Sequence, residues 1–483
     1  MKLNAQSGAV PTPQASTPQA RTPQAPELDQ GAWPAPDPEL APALVWPGDA
    51  GYGARRSTYT RVGRPALVIA AASEADVQLA VRYAAEVRRA TGFPVPFSVR
   101  SGGHGISGAG TNDGGIVLDL AGLAHLGEPD PSTGVFTAQA GARWGEVAQH
   151  LAPHDCALTS GNVGGTGVGG IATAGGIGFF ARSQGLTLDN VRAVRVVTAD
   201  GSARWVDAAR DPETFWALRG GATHAGVAVA LDLHAPRLAS RAGNASVILQ
   251  EVQYLVQDLP GFLRDWGAWI AAAPREAESF LMLQRLADGR TVVQAQNVWA
   301  GDDEGAALPV LEAALQLGQV LEQHASLGPY TRLMPRSGRA HSGQQRIQIR
   351  NTFVNHVDTP VGAALDEALA NPATMLAEVR ALGGAVSDVP AAATAWAARS
   401  QAAFVATWAR PLPPAALDAA FAPLREVGTG AYGAYSSDTR PAEAARSWPG
   451  DTGARLRAVA SRLDPDGLFT HGLTLDREAE TGG

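Results

Sequence analysis

The sequence is poor in cysteine, since Cys156 is the only one among 483 residues. A single cysteine excludes an internal disulfide and a cysteine-based zinc site. Two roles remain for Cys156, a catalytic thiol or a small buried residue, and we favour the second because free cysteine is usually buried. No H-E-x-x-H motif occurs, and no metal site is predicted.

Long apolar runs are also missing. No stretch of about 18 apolar residues occurs, so no membrane-spanning helix is predicted. Lys2 is not followed by the apolar segment of a signal peptide, and we therefore expect a cytoplasmic protein without a membrane partner. The formal net charge is −8 and there is no basic run. Nucleic acid is for that reason not expected as a partner.

The length and composition indicate a globular protein of two or three folding units, with 45% apolar and 17% charged residues. Residues 1–40 differ from the rest, because they are rich in Pro, Gln, Ala and Thr and repeat Thr-Pro-Gln-Ala three times. Such a segment buries too little apolar surface to offset its ordering entropy. We predict a disordered tail there.

Strand and helix patterns alternate as far as about residue 235, which predicts an α/β or α+β domain at 46–238. Longer strand patterns follow, together with Ala- and Leu-rich segments that predict helices at 306–324 and 360–382. A large sheet covered by helices fits this second domain, placed at 240–430. A C-terminal segment, 431–475, completes the chain.

Glycine is concentrated in two loops. The first is Arg-Ser-Gly-Gly-His-Gly-Ile-Ser-Gly at 100–108, and in the second, 161–178, nine of eighteen residues are glycine. Glycine lets backbone N–H groups approach a ligand closely and converge on an anion, so a diphosphate is the natural occupant. Serine hydroxyls and Arg100 add donors. Together the loops indicate a nucleotide-type ligand rather than tight turns alone.

Residues 165–170 also satisfy the dinucleotide pattern G-x-G-x-x-G, with Asp189 at about the distance of the acidic residue of a Rossmann fold. We do not favour that fold, because the pattern arises easily in so glycine-rich a segment. Gly175, Gly176 and Gly178 further predict that no regular helix begins here. The segment before the pattern is also a poor strand.

His104 follows Gly102 and Gly103 directly. An imidazole at this point can cap a turn, bind phosphate, or act as a nucleophile toward an electrophilic ring methyl. The chemistry of the residue alone leaves these three roles open.

The glycine loops and other motifs resemble the PCMH-type FAD-binding domain of the vanillyl-alcohol oxidase superfamily, nearest to the berberine-bridge-enzyme-like oxidoreductases. The resemblance covers about 46–236 and resumes at the C-terminus. Residues 382–385 with Arg399 also resemble that family's substrate domain. The motifs that carry the resemblance lie, in order, at 100–104, 167–170, 175–178, 185–191, 215–221 and 464–469.

The resemblance implies an α+β fold, in which a two-part FAD-binding domain carries a substrate domain of a large antiparallel sheet covered by helices, and the C-terminal segment returns to the FAD domain. It also implies FAD linked covalently to His104. Val163 occupies the position where some relatives carry a second, cysteinyl link, so a single link is expected. The implied cofactor-binding residues are Arg100, Ser101, Gly102, Gly103, His104, Gly105, Ser107, Gly161, Gly167, Gly170, Gly175, Gly178 and Val227.

The implied chemistry is hydride transfer from the C–H bond of an alcohol, sugar or secondary metabolite to the flavin, with O2 as the expected acceptor. Tyr435 matches the family's base, with Tyr432 as its neighbour, and His471 is a weaker candidate. An ordinary tyrosine has a pKa near 10, so the pKa of Tyr435 would have to be lowered by the flavin or by a cation, for which Arg346, His341 and His356 are candidates. Two alternatives stay open, oxidative cyclisation with C–C bond formation and a flavin-loaded protein without catalysis.

Overall fold

The computed structural model describes residues 33–337 and 341–475. They form three sheets with helices packed against them, and the predicted α+β fold class is confirmed. The first sheet has four strands in the order β1-β2-β4-β3, with β2, β4 and β3 parallel. Its elements are β1 (Leu44–Val45), α1 (Tyr52–Arg55), β2 (Leu67–Ala70), α2 (Glu74–Thr91), β3 (Phe97–Arg100) and β4 (Ile116–Asp119).

The second sheet is antiparallel, in the order β5-β8-β6-β7. This topology excludes the parallel sheet of a Rossmann fold, in keeping with the sequence interpretation. Its elements are β5 (Val135–Gln139), α3 (Trp144–Leu151), α4 (Val168–Ala174), α5 (Ala181–Gln184), β6 (Val191–Val197), β7 (Ala203–Asp207), α6 (Pro212–Ala217) and β8 (Val227–His234).

The third sheet has seven antiparallel strands in the order β12-β9-β11-β10-β14-β15-β13. Leu281 and Val379 on its outer face belong to one core with helix residues such as Leu365, while Phe280 and Phe404 belong to the core shared with the first two sheets. The elements are β9 (Ser246–Val256), α7 (Leu259–Ala272), β10 (Ala277–Arg285), β11 (Thr291–Trp299), α8 (Glu304–Ala314), β12 (Gln319–Pro329), β13 (Gln348–Val354), α9 (Thr359–Ala370), β14 (Thr374–Ala381), β15 (Ala403–Ala409) and α10 (Pro414–Val427).

The C-terminal segment crosses back to the first domain. It contains α11 (Pro441–Ser447) and α12 (Gly450–Leu463), and α12 packs against α6. Beyond α12, the ring of Phe469 lies 6.1 Å from that of Phe97 in β3. The C-terminal segment therefore shares a core with the first sheet.

Two of the predicted long helices are wrong. The pattern at 306–324 divides into α8 and β12, and the pattern at 360–382 divides into α9 and β14. The sequence does contain a helix-stop signal within 360–382. Pro372 disfavours helical backbone at the residue before it, Asn371. Pairing with neighbouring strands then outweighs the helix propensity of these Ala- and Leu-rich segments.

Two further expectations need correction. A helix, α4, does begin at Val168, although it ends at Gly175 after seven residues. The packed structure also begins earlier than residue 40, because Trp33 and Leu40 are buried in the core and Tyr83 donates a hydrogen bond to the Pro34 carbonyl at 3.2 Å. The rest of the predicted tail, 1–32, lies outside the described residues.

One buried ion pair fastens the third sheet's domain to the first. Arg399 donates to both carboxylate oxygens of Asp189, at 2.7 and 2.9 Å, and also to the Thr394 hydroxyl at 2.8 Å. The two charged side chains are only 4% and 8% exposed. Asp189, the acidic residue of the dinucleotide pattern, is therefore occupied by a structural contact.

Replacing Asp189 by Ala should lower the free energy of unfolding by about 3–5 kcal/mol, because the buried Arg399 charge would lose its partner. The measurement is urea unfolding followed by circular dichroism. The matched control is Asp288→Ala, which removes an exposed pair with Arg290 and should cost at most about 1 kcal/mol. Equal midpoints for the two variants would contradict the structural role of Asp189.

Candidate active site

A cavity of about 780 Å³ lies where the first two sheets meet the inner face of the third. Its wall is drawn from widely separated parts of the chain, including the loops 101–107 and 161–167, the strands β14 and β15, and the C-terminal segment 429–435. A site assembled from segments so distant in sequence depends on the docking of the domains.

The two glycine loops meet backbone to backbone at the cavity. A Cβ added at Gly102 would lie 2.2 Å from the Gly167 nitrogen, and a Cβ at Gly167 would lie 2.2 Å from the Gly102 nitrogen. Neither position can accept a side chain without moving backbone atoms. These two glycines are thus required by packing, whatever the cavity holds.

Other glycines leave free space beside the cavity. A Cβ built at Gly105 or Gly170 would have no described atom within 4 Å, and both residues lie on the cavity wall. Space of this kind lets a ligand approach the backbone closely. The long cavity and these open positions fit an extended ligand such as a dinucleotide.

Arg100 does not serve as a free phosphate donor. Its guanidinium is 4% exposed and pairs with Asp119 at 2.9 Å, and its other nitrogens donate to the carbonyls of Ser57 and Ala54. Burial raises the pKa of Asp119, although Arg100 opposes the shift. Arg100 therefore shapes the loop through structural contacts, and the expectation that it is an available donor is not supported.

The His104 imidazole lies in a ring of aromatic side chains. It stacks on Tyr59 with ring centroids 5.1 Å apart, and the His341 ring meets it edge-on at 4.5 Å. Burial, with smaller contributions from the charges of His341 and Arg143, lowers the pKa of His104 to about 3. The imidazole is consequently neutral at physiological pH.

Tyr435 is half-buried and is hydrogen-bonded to two buried residues of β14. Its hydroxyl donates to Glu378 Oε2 at 2.9 Å and accepts from Arg380 Nη2 at 3.2 Å. Arg380 Nε also donates to Glu378 Oε1 at 2.6 Å. Glu378 and Arg380 point to the same side of β14 because they are two residues apart in a strand. The sequence analysis did not identify this pair, since 360–382 was predicted as helix.

The pKa of Tyr435 is shifted opposite to the expected direction. Burial raises it well above 10 and the Glu378 carboxylate raises it further, while Arg380 offsets only part of the shift. The cation beside the hydroxyl is thus Arg380. Tyr435 is protonated at neutral pH, so a preformed tyrosinate is excluded.

Tyr432, the second predicted catalytic residue, has a different role in the structure. Its hydroxyl accepts the Gly176 N–H at 3.1 Å, and its ring packs against Trp396 at 4.6 Å. Burial raises its pKa. Tyr432 supports the second glycine loop and the position of Tyr435. His471, the weaker candidate, is bonded to the Thr111 carbonyl at 2.9 Å.

Most of the predicted cofactor-binding residues come together. Gly178 instead packs against the Ser160 backbone, Gly175 against Trp396, and Val227 pairs with Val197 in the second sheet, so these three are not part of the cavity wall. The ten that line the cavity are Arg100, Ser101, Gly102, Gly103, His104, Gly105, Ser107, Gly161, Gly167 and Gly170.

Three further findings bear on the sequence expectations. Within 33–337 and 341–475, no helix is long and apolar enough to cross a bilayer. Among the same residues, no group of three His, Cys, Asp or Glu side chains is placed to hold a metal ion. Cys156 is buried, and burial raises the pKa of its thiol.

Part of the chain matches a known domain family. Residues 65–207 match the family described as FAD binding domain, so the chain contains an FAD-binding domain. The chain is similar to the FAD-dependent monooxygenase FUP4 of Fusarium proliferatum, with 39% identity over 171 residues, which cover 35% of this chain and 32% of FUP4. The matched segment thus spans about a third of that relative's length.

The fold likeness extends over nearly the whole chain. Berberine-bridge-enzyme-like 1 of Physcomitrella patens superposes with a TM-score of 0.79 at 19% identity, covering 91% of this chain and 98% of that protein. Glucooligosaccharide oxidase of Acremonium strictum, which carries a 6-S-cysteinyl, 8α-N1-histidyl FAD, superposes with a TM-score of 0.76 at 20% identity over 91% and 98%. At these identities the likeness shows the fold, and it is the fold that the resemblance implied.

The two kinds of glycine in the loops should respond differently to substitution. Gly170 lies in α4, and the side chain of Gly170→Leu would fill free space in the cavity while adding up to about 1 kcal/mol of helix propensity. The variant should therefore leave the apoprotein stable and weaken FAD binding. Gly102→Ala should instead lower the unfolding midpoint, because its Cβ meets backbone atoms. FAD titration and thermal unfolding of both variants test this; undiminished FAD affinity in Gly170→Leu would contradict it.

Proposed function

We propose that the protein is an FAD-dependent oxidase, which transfers a hydride from a C–H bond of an alcohol, sugar or secondary metabolite to FAD, with O2 as the final electron acceptor. The observation that carries the proposal is the pair Tyr435 and Arg380 on the wall of a cavity that the glycine loops of an FAD-binding domain also line, with the buried Glu378 hydrogen-bonded to both. Such a group is suited to removing a proton from a bound hydroxyl.

FAD fits the residues that line the cavity. Bound FAD would supply the electron-accepting ring that the protein's own side chains lack. The backbone around Gly102, Gly103 and Gly167 would hold the diphosphate of FAD. The open positions at Gly105 and Gly170 would leave room for the remainder of this extended cofactor.

Proton removal in this proposal uses Tyr435 and Glu378 together. Because Tyr435 is protonated, its hydroxyl oxygen accepts the substrate's hydroxyl proton while its own proton moves to Glu378 Oε2, 2.9 Å away. Arg380 stays hydrogen-bonded to both residues and holds their geometry during the transfer. A relay of this kind avoids forming a free tyrosinate in a buried site.

The covalent link of FAD to His104 is the second part of the proposal. A neutral imidazole offers a lone pair for bond formation, and burial keeps His104 neutral. Val163 lies on the cavity wall without a thiol, so a histidyl link without the additional cysteinyl link is proposed.

The substrate end of the cavity is aromatic but carries free polar atoms. Trp396, Phe353 and Trp408 line it. Trp408 Nε1 and Gln401 Oε1 are buried and have no hydrogen-bond partner among the described residues. Because a buried donor and a buried acceptor both need a hydrogen-bond partner, they favour a substrate with hydroxyl or carbonyl groups over a pure hydrocarbon. The intact Tyr435 group argues against a flavin-loaded protein without catalysis.

The purified protein should be yellow, and the colour should stay with the protein after acid precipitation. His104→Ala should abolish the acid-stable colour but retain weaker, dissociable FAD binding, because the glycine loops are unchanged. Flavin fluorescence of the pellet and supernatant measures both fractions. A colourless protein that cannot be reconstituted with FAD would refute the proposed function.

Tyr435→Phe and Glu378→Gln should each lower kcat by on the order of 10²–10⁴-fold with FAD content unchanged. Hydrogen peroxide release across a panel of alcohols and sugars is the measurement. Tyr254→Phe is the matched control, since its hydroxyl bonds the Ala314 carbonyl in the outer core, away from the cavity. Full activity in both cavity variants would rule out the relay.

A further inference from the structure

The loop that carries His104 is held by a segment of the third sheet's domain. His341 lies 239 residues beyond Gly102 in the chain, and its Nε2 is 2.8 Å from the Gly102 carbonyl oxygen. A carbonyl only accepts hydrogen bonds, so His341 Nε2 carries the proton. Its Nδ1 then accepts from the Gln344 side-chain amide at 3.1 Å. Both nitrogens of His341, which is 3% exposed, are thus occupied.

Backbone contacts extend this hold to the other side of the His104 ring. Gly343 N–H donates to the Thr58 carbonyl at 3.0 Å, and Gln345 N–H donates to the Tyr59 carbonyl at 3.2 Å. Tyr59 N–H in turn donates to the Gly103 carbonyl at 2.8 Å. The segment 341–345 therefore fixes Tyr59, the residue on which His104 stacks.

The imidazole of His104 is confined by these contacts. Tyr59 covers one face at an interplanar angle of 22°, and His341 blocks an edge at 84°. The carbonyls of the two preceding residues, Gly102 and Gly103, are each tied by a hydrogen bond. The ring has little freedom to rotate away from the cavity.

We propose that His341 is a positioning residue for the covalent attachment of FAD to His104, and that attachment requires the segment 341–345 to be docked on the first domain. This inference rests on the histidyl link of the proposed function. It adds a residue to that function and predicts an order of events, in which domain docking precedes formation of the bond.

The attachment reaction balances with dioxygen as oxidant. A bond forms between a ring nitrogen of His104 and the 8α carbon of the flavin, while one N–H and one C–H bond break. The two protons and two electrons that are lost reduce one O2 to hydrogen peroxide. The histidine must present an unprotonated nitrogen in a fixed direction, and small misplacements of a reacting atom cost large factors in rate.

The test compares His341→Phe with wild type and with His150→Phe. Phenylalanine keeps a ring beside His104 but loses the hydrogen bond to Gly102. His150 is the matched control, because its Nε2 is 2.9 Å from the Gly127 carbonyl and it is not part of the cavity wall. Apoprotein made under riboflavin limitation is incubated with FAD in air, and acid-stable flavin is measured over time beside total bound FAD and the unfolding midpoint.

His341→Phe should bind FAD but form the acid-stable link at least about tenfold more slowly, while His150→Phe matches wild type. His341→Gln, which retains an N–H donor, should recover part of the rate. An unchanged rate in His341→Phe overturns the inference and leaves the histidyl link intact, whereas no acid-stable flavin in wild type overturns the link itself.

If His341→Phe fails to bind FAD, a further variant, Gln344→Leu, tests the positioning role. Gln344 is exposed, and Gln344→Leu removes the amide that donates to His341 Nδ1 together with the acceptor of the Ser342 N–H. It should bind FAD normally and slow attachment several-fold. Attachment at the wild-type rate in this variant would overturn the positioning role.

Discussion

The close contact between Gly102 and Gly167 is the constraint on which the site depends. Two loops from different parts of the first domain approach until their backbone atoms leave no room for a side chain. That contact forms part of the cavity wall, which also includes His104 in the first loop and Ile171 in the middle of α4. Glycine is required here for a steric reason, and the open positions at Gly105 and Gly170 then become available to the cofactor.

The chemistry around Tyr435, which also lies on the cavity wall, follows from burial. β14 passes through the middle of the seven-stranded sheet and directs Glu378 and Arg380 toward Tyr435. A buried carboxylate beside a tyrosine makes the phenol a weaker acid, and the adjacent guanidinium does not reverse this shift. The arrangement therefore suits proton relay between two side chains better than a single ionised base, and it balances a negative charge with a positive one inside the core.

Two contacts join the first domain to the domain of the third sheet. Asp189 and Arg399 form a buried two-pronged ion pair, and His341 reaches from the far domain to the loop of His104. The cavity has its final shape only when these contacts are made. Cofactor attachment and substrate chemistry would then both depend on the docking of one domain on the other.

The sequence by itself determined the FAD-binding domain, the glycine loops and the short strands of the first half, because turn glycines and apolar strands are local signals. It also brought forward ten residues that line the cavity, with Tyr435 among the catalytic candidates. Only the tertiary structure decided that 374–381 is a strand, that Glu378 and Arg380 meet Tyr435, that Arg100 is occupied by Asp119, and that His341 touches His104. Those outcomes depend on strand pairing and on contacts between distant segments, which helix propensity and local spacing do not encode.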